Sequence, residues 1–303
     1  MNTLIENIQL PTGDDCQRLF HGRGHCFAGL EHICIDWLKP VVYVTAYKPV
    51  EPDLKEVIQT WVKTNVPECQ SLILQHRYAI SGSYDQGQCE VLFGDMVNQL
   101  VVTELGLQYQ LTLGKKQNHG LFLDMKNGRD WVKQRANGKR VLNLFAYTCA
   151  FSVAAIAGGA ESVVNLDMSK AALAQGRVNH QLNQQDKTKV KYEAVDLFKS
   201  FGRVRKHAPY DMLICDPPAF QKGSVNIEKD YAKIIRRMTE FLADGADILL
   251  CLNAPDLSAT FLQQQVEEFA PSWQLQQSLA APAVFKEKYP EKGLKVFWYK
   301  NVG

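Results

Sequence analysis

Residues 210–220 read Tyr-Asp-Met-Leu-Ile-Cys-Asp-Pro-Pro-Ala-Phe. An apolar run over 212–215 stops at Asp216-Pro217-Pro218 and resumes with the aromatic Phe220. Proline lacks an N–H and fixes φ, so two in succession cannot continue a central strand. They make a stiff exit that presents the Asp216 carboxylate, exposed carbonyls and an aromatic ring at the strand's carboxyl end. Ligands of open α/β sheets bind at that end. A flat group with N–H donors, such as a nucleobase, fits the turn: Asp216 and the Pro217 carbonyl accept its hydrogen bonds while Phe220 stacks on its face. Pro218 stiffens the exit. From this stretch alone, a rigid loop without a ligand is the simpler alternative.

Outward from this strand the pattern is a regular β–α alternation from about residue 138. Strands are expected at 140–145, 162–166, 190–194, 211–215 and 248–252. Helices are expected at 150–157, 169–183, 231–242 and 256–269, the last capped by Asp256. Ser169 is the N-cap expected for the helix that follows Asp167. Two further strands, 273–279 and 294–299, close the chain as an antiparallel pair. Strands separated by helices imply a mostly parallel sheet covered on both faces. The fold class expected is therefore α/β, a Rossmann-like seven-stranded sheet.

The first third has a different grammar. Short strand-like runs occur at 33–37, 41–47, 71–75 and 99–103, and the spacing of Leu54, Val57, Ile58 and Trp61 predicts one amphipathic helix. Residues 1–115 are expected to form a small α+β domain, and 116–303 the catalytic domain. The first part carries 8 Lys/Arg against 13 Asp/Glu, a charge of −5, and the remainder 26 against 19, or +7. The basic surplus points to the second part as the carrier of any polyanion-binding face, with Arg203-Val204-Arg205-Lys206-His207 and Arg236-Arg237 as candidate phosphate contacts and a solvated loop and helix face as the simpler alternative.

The loop after the first strand of the alternation reads Asn143-Leu144-Phe145-Ala146-Tyr147-Thr148-Cys149-Ala150. Its small residues let a ligand approach the backbone, but the triple glycine that accommodates a pyrophosphate is missing, which counts against a dinucleotide. Asp167, with Met168 beside it, ends the second strand and is placed to accept both ribose hydroxyls of an adenosine. Asp196 follows the third strand and is placed to accept the adenine amino group, with Leu197 or Phe198 against the ring. Together with Asp216 these acids describe an S-adenosylmethionine site with an acceptor pocket beside it. The terminal strand pair is the organisation of class I methyltransferases.

On these residues the chain resembles the large-subunit ribosomal RNA methyltransferases of the cytosine-5 and guanine-N7 groups, without their added RNA-binding modules. The shared motifs, in order, are Thr103-Glu104-Leu105-Gly106-Leu107, Gly120-Leu121-Phe122-Leu123-Asp124, the 143–148 loop, Asp167-Met168-Ser169, Asn179 to Asn183, and 216–220. Arg18-Leu19-Phe20-His21-Gly22 through Gly29-Leu30 is similar to the small domain that precedes catalysis in the cytosine-5 group. The likeness runs from about residue 17 to the end and is most specific over 104–220. It implies S-adenosylmethionine as cofactor, ribosomal RNA as partner, and Phe122 and Asp124 on a segment covering the methionine end. It further implies that Asn143, Phe145, Tyr147 and Thr148 line the cofactor loop. Lys126 and Arg129 follow on a helix, where they meet a carboxylate or a phosphate or, in the simpler alternative, lie on a solvated face.

Cytosine C5 is a poor nucleophile and needs a thiolate to attack C6. Relatives with that chemistry carry the cysteine just after the fifth strand or directly after a proline of the strand-four motif. Here Ala254 and Ala219 stand at those two positions. Cys215 and Cys251 fall inside apolar strands, where thiols are buried and inert, and Cys149 replaces a glycine of the family pattern. Direct transfer to nitrogen is the chemistry left. An exocyclic amine activated by Asp216 and a ring nitrogen that needs only positioning both fit, with Asn253 as an orienting group. A protein side-chain amide, a small molecule, or cofactor binding without catalysis are the competing functions.

The 8 cysteines form no C-x-x-C pair, no metal site is expected, and the usage is that of reduced thiols. No apolar run approaches the length of a membrane span and no signal peptide is visible, so a cytoplasmic protein is expected.

Overall fold

The computed structural model describes residues 2–78, 88–115, 117–221 and 225–303, leaving aside the side chains of Asn2, Phe220 and Gln221. Two compact units emerge: Met1–Leu123 with Pro282–Pro290, and Asp124–Ala281 with Glu291–Gly303. The return of the chain to the first unit at Pro282–Pro290 has no counterpart in a division of the sequence at 115/116.

The first unit opens with α1 (Asn2–Asn7). Its five-stranded sheet has the order β1 (Gln17–His21), β2 (Ile33–Leu38), β3 (Val41–Ala46), β4 (Ser71–His76) and β5 (Cys89–Phe93). Only β3 and β4 are parallel, and α2 (Pro52–Asn65) makes the crossover between them. Pro52 suits the helix start, where an N–H would lack a partner anyway. Ile58, Trp61 and Val62 of α2 join Phe20, Ile35, Trp37, Val44 and Leu72 in one core. A separate hairpin, β6 (Gln99–Glu104) and β7 (Leu107–Thr112), turns at Leu105-Gly106, where both φ angles are positive at 54° and 75°. That pair of angles is the two-residue turn whose twist matches a hairpin.

The second unit holds a seven-stranded sheet. Its parallel strands are β8 (Arg140–Leu144), β9 (Ser162–Asp167), β10 (Val190–Ala194), β11 (Tyr210–Cys215) and β14 (Leu242–Leu252). β15 (Trp273–Ser278) and β16 (Lys295–Asn301) add the antiparallel end, giving the order β10-β9-β8-β11-β14-β16-β15. A two-stranded ladder, β12 (Phe220–Gln221) with β13 (Val225–Asn226), follows β11.

Alternating side chains fill two cores. Leu142, Leu144, Leu213, Ile248 and Leu250 meet Tyr231, Ile234 and Met238 of α7 (Ile227–Met238) on one face. Val141, Ile214 and Leu249 meet Trp131 and Val132 of α3 (Lys126–Arg135) and Phe151 of α4 (Ala150–Ala157) on the other. Helices α5 (Lys170–Leu182), α6 (Phe201–Arg205) and α8 (Ala259–Phe269) complete the unit. This is the Rossmann-like seven-stranded α/β sheet expected from the sequence.

Three local expectations are corrected. α7 starts at Ile227 rather than 231, because the Asp230 carboxylate accepts the Asn226 N–H at 2.8 Å and closes an earlier first turn. β14 starts at Leu242 rather than 248: its register against β11 jumps from Tyr210↔Leu242 to Met212↔Asp247, so the intervening residues bulge around Gly245, at φ 74°. The cap of α8 is Ser258, whose hydroxyl accepts the Phe261 N–H at 3.1 Å, and not Asp256, which lies in the preceding turn. The short α6 was hidden by its arginines; Val204 is its buried residue.

Candidate active site

The carboxyl ends of β10, β9, β8 and β11 are neighbours, with Ala194 beside Asp167 and Leu144 beside both Leu166 and Cys215. Acids at or just beyond the ends of three of these strands therefore stand along one edge, three interstrand spacings or about 14 Å long. Asp196, Asp167 and Asp216 occupy it in that order.

Between Asp167 and Asp216 lies the 145–149 loop. Phe145, Tyr147 and Cys149 are left-handed, with φ of 55°, 47° and 61°. Each such non-glycine residue costs about 1 kcal/mol or more, so neighbours must hold the loop. The Asp167 carboxylate does so by accepting the Tyr147 N–H at 2.8 Å on one oxygen and the Ser169 N–H at 2.7 Å on the other. The Asn179 side chain donates to Thr148 O at 2.9 Å. Cys149 is wholly buried, and its thiol occupies space left by Gly176 of α5, where a Cβ would stand 2.4 Å from Sγ. Sequence reasoning saw Cys149 replace a glycine but not the second glycine that makes room for it.

Asn143 is buried within the sheet and donates to Asn165 at 2.8 Å. Asn165 donates to Ser152, which meets His180 at 3.0 Å. Asn143 thus supports the strand beneath the loop, and burial pushes the His180 pKa down to about 4. Phe145 and Tyr147 are half-buried and Thr148 is buried. Met168 is exposed beside Asp167. Asp196 accepts the Phe198 N–H at 2.9 Å and lies 3.4 Å from Lys199. Leu197 is committed to the core, so Phe198 is the residue of that pair that stays partly open, with the Lys233 ammonium 5.0 Å from its ring. Phe122 is an exposed residue of the first unit.

Asp216 is the electrostatic centre. Burial, and then the charge of Asp124, push its pKa up to about 7, against the opposing charge of Arg129. Arg129 is not on a solvated face, the simpler alternative; it is 2% exposed on α3 and turned toward these acids. A basic residue four places into a polar helix gives no sequence sign of burial. Pro217 is buried and Pro218 exposed. The Phe220 side chain lies outside the described residues. Asn253 is exposed just past β14, Ala254 is buried and Ala219 exposed. Cys149, Cys215 and Cys251 are buried, and desolvation raises all three thiols. Among the described residues no cluster has the composition of a metal site.

The basic runs fall elsewhere. Arg203 and Arg205 end α6, and Arg236 and Arg237 end α7, where the chain turns into the starts of β11 and β14. That is the edge opposite the acids. Glu193 pairs with Arg203 at 3.2 Å, and Glu240 with both Arg205 and Arg237.

Several known proteins share this architecture and sequence. A Bacillus subtilis protein assigned as a ribosomal RNA large subunit methyltransferase is 28% identical over 242 residues, covering 78% of this chain and 60% of its own. Ribosomal RNA large subunit methyltransferase K of Neisseria meningitidis is 35% identical over 162 residues, covering 50% of this chain and 45% of its own. The chain thus spans between about half and three fifths of the length of these curated relatives. A crystal structure of a chain classed as a methyltransferase, complexed with SAH, superposes with a TM-score of 0.82 at 26% identity, covering 99% of this chain and 77% of that one. The sequence model of the S-adenosylmethionine-dependent methyltransferases matches residues 17–300, and the chain belongs to that family.

Proposed function

We propose that this protein methylates a nucleobase of ribosomal RNA at nitrogen, in the cytoplasm, with S-adenosylmethionine bound along the acid-lined edge of residues 116–303. The names of its relatives support the RNA substrate, and no helix among the described residues is long and apolar enough to cross a membrane. One observation carries the choice of nitrogen: alanine stands at 219 and 254, and burial raises the thiols of Cys149, Cys215 and Cys251 away from the thiolate form.

Bound S-adenosylmethionine supplies an electrophilic methyl carbon, and its transfer leaves a neutral thioether. Asp167 uses lone pairs not committed to Tyr147 and Ser169 to accept ribose hydroxyls, and Met168 covers the same group. Asp196 accepts the adenine amino group, with Leu197 behind it. Asp124 would serve the methionine end, with Phe122 as the resemblance implies, and Phe145, Tyr147 and Thr148, on the loop that Asn143 supports from the strand beneath, would line the side of the sulfonium. Asp216 and the Pro217 carbonyl accept hydrogen bonds from the base, Pro218 keeps them rigid, Phe220 stacks, and Asn253 orients the ring. Holding the acceptor nitrogen in line with the methyl carbon is the main requirement. A carboxyl near neutrality, as at Asp216, suits uptake of the proton an amine gives up.

The test is tritium transfer from labelled cofactor to ribosomal RNA of a deletion strain, followed by mapping of the lost modification. Asp167→Ala should abolish cofactor binding, whereas Asp216→Ala should keep binding and lose transfer. Label appearing in protein instead of RNA, or on C5 of cytosine, would overturn the proposal.

A further inference from the structure

Ribosomal RNA as substrate, the reading on which this inference rests, calls for cations that protein carboxylates do not neutralise. Three of the four arginines of α6 and α7 fail that requirement, since Glu193 and Glu240 hold them, and the fourth, Arg236, lies over the Phe269 ring. The first unit is acidic over residues 1–115, yet it gathers cations at one corner.

That corner is built by two segments far apart in sequence. Gly22–Gly24 forms a 3-10 turn after β1, and Pro282–Pro290 runs against it. The Lys288 N–H donates to Gly24 O at 2.7 Å, and Cys26 Sγ lies 3.6 Å from Lys286 O. Glycine at 24 permits the approach, because a Cβ there would sit 1.7 Å from the Lys286 carbonyl oxygen. Arg23, Lys286 and Lys288 are all exposed around this contact.

Tyr47 extends the group. The Arg23 guanidinium lies 4.1 Å from the Tyr47 ring centroid and that of Arg77 lies 5.7 Å from the same ring. Arg77 donates to Tyr47 Oη, Gln75 Oε1 and Asn118 Oδ1 at 3.0–3.3 Å, all neutral acceptors. Two guanidinium groups on one neutral ring repel each other unless an anion lies near. Among the described residues no carboxylate pairs with Arg23, Arg77, Lys286 or Lys288. Of the neighbouring acids, Glu287 lies 3.4 Å from His21 Nε2, a ring that burial keeps neutral, and Glu31 accepts backbone N–H groups of its own residue and of Gly29.

We infer that Arg23, Tyr47, Arg77, Lys286 and Lys288 form a docking surface for the phosphates of an RNA strand. Guanidinium forks match phosphate oxygens, and the lysines add point charges that follow the backbone. The surface reads charge and not sequence, so it serves affinity and leaves base choice to the pocket at Asp216.

Binding of the full chain to protein-free large-subunit ribosomal RNA, measured against salt concentration, tests this. Arg23→Gln, Lys286→Gln and Lys288→Gln in one chain should weaken binding at least 10-fold near 0.1 M salt, with a salt slope shallower by about 2, from roughly 0.7–0.9 per phosphate contact. Cofactor affinity in the same chain should be unchanged. Arg203→Gln with Arg205→Gln, at the opposite edge of the second unit's sheet, should leave RNA affinity and slope as in the wild type. A triple variant that binds RNA with wild-type affinity and slope would overturn the docking surface alone. A wild-type protein that neither binds nor methylates this RNA would overturn the substrate reading, and the docking surface with it.

Discussion

Gly176→Ala should destabilise the second unit, and the size of the effect should depend on residue 149. Alanine in a helix interior is worth about 1 kcal/mol over glycine. Here, though, the added Cβ would lie 2.4 Å from Cys149 Sγ and 2.8 Å from Cys149 Cβ. Cys149 cannot retreat: it is fully buried and already left-handed. Overpacking of this kind costs about 1–3 kcal/mol, and rigid contacts this short belong at the upper end, leaving a net loss of about 2 kcal/mol. Replacing Cys149 by glycine removes both clashing atoms, so that the nearest remaining contact is Thr148 O at 3.3 Å. In that background Gly176→Ala should instead stabilise by up to about 1 kcal/mol, a coupling of about 3 kcal/mol between the two positions. Amide hydrogen exchange in β8 and β9 reads the second unit by itself. The amides should exchange about 30-fold faster in Gly176→Ala and recover in the double variant, since each 1.4 kcal/mol is tenfold. Equal costs in the two backgrounds would refute the packing argument.

Further outcomes follow from the same site. Methyl transfer should rise as pH increases through about 7, because Asp216 must lose its proton to accept one, and Asp216→Asn should flatten the initial-rate profile. Since the folded pKa of Asp216 stands above its usual 3.8, the folded state holds the proton more tightly, so stability falls as pH rises from about 4 to 7 and the Asn variant should not show that fall in denaturant titrations. Arg129→Met removes the one opposing charge, and the midpoint of the pH–rate profile should move up by about one unit or more; a downward move would contradict the assignment. Asp167→Ala leaves the Tyr147 and Ser169 N–H groups without their carboxylate, which should cost about 3 kcal/mol in unfolding free energy along with cofactor affinity, whereas Asp167→Asn should retain part of both. Ser258→Ala should cost about 1 kcal/mol and Asp256→Ala almost nothing in the same measurement, which separates the true cap of α8 from its neighbour.

The placement of the three acids was legible because it rests on local grammar. A strand-like run ends and a carboxylate follows at β9, β10 and β11 alike, and at β11 the two prolines also prevent the strand from continuing. Glu104-Leu105-Gly106-Leu107 was legible only as a motif of the resembled family; its pairing as the turn of a hairpin came from the register of β6 with β7. What escaped was set by partners. Arg129 reads as surface chemistry in a polar helix until Asp124 and Asp216 are found beside it. The extra length of β14 rests on a bulge that only the register with β11 defines. The basic runs of α6 and α7 could be read as phosphate contacts or as a solvated face, because sequence shows charge but neither the edge it occupies nor the two glutamates that pair with three of the four arginines.

From its sequence alone this chain was determined to be a doubly covered parallel sheet with carboxylates at successive strand ends, because hydrophobic period and backbone-breaking residues act within a few positions of themselves. Tertiary structure alone decided that Cys149 fits against Gly176, that Arg129 is buried among acids, and that Arg23 gathers with Lys286 and Lys288. Cys149 and Gly176 stand 27 positions apart, Arg129 and Asp216 87, and Arg23 and Lys286 263. Their energies depend on distance and burial in space, quantities that no local pattern of side chains encodes.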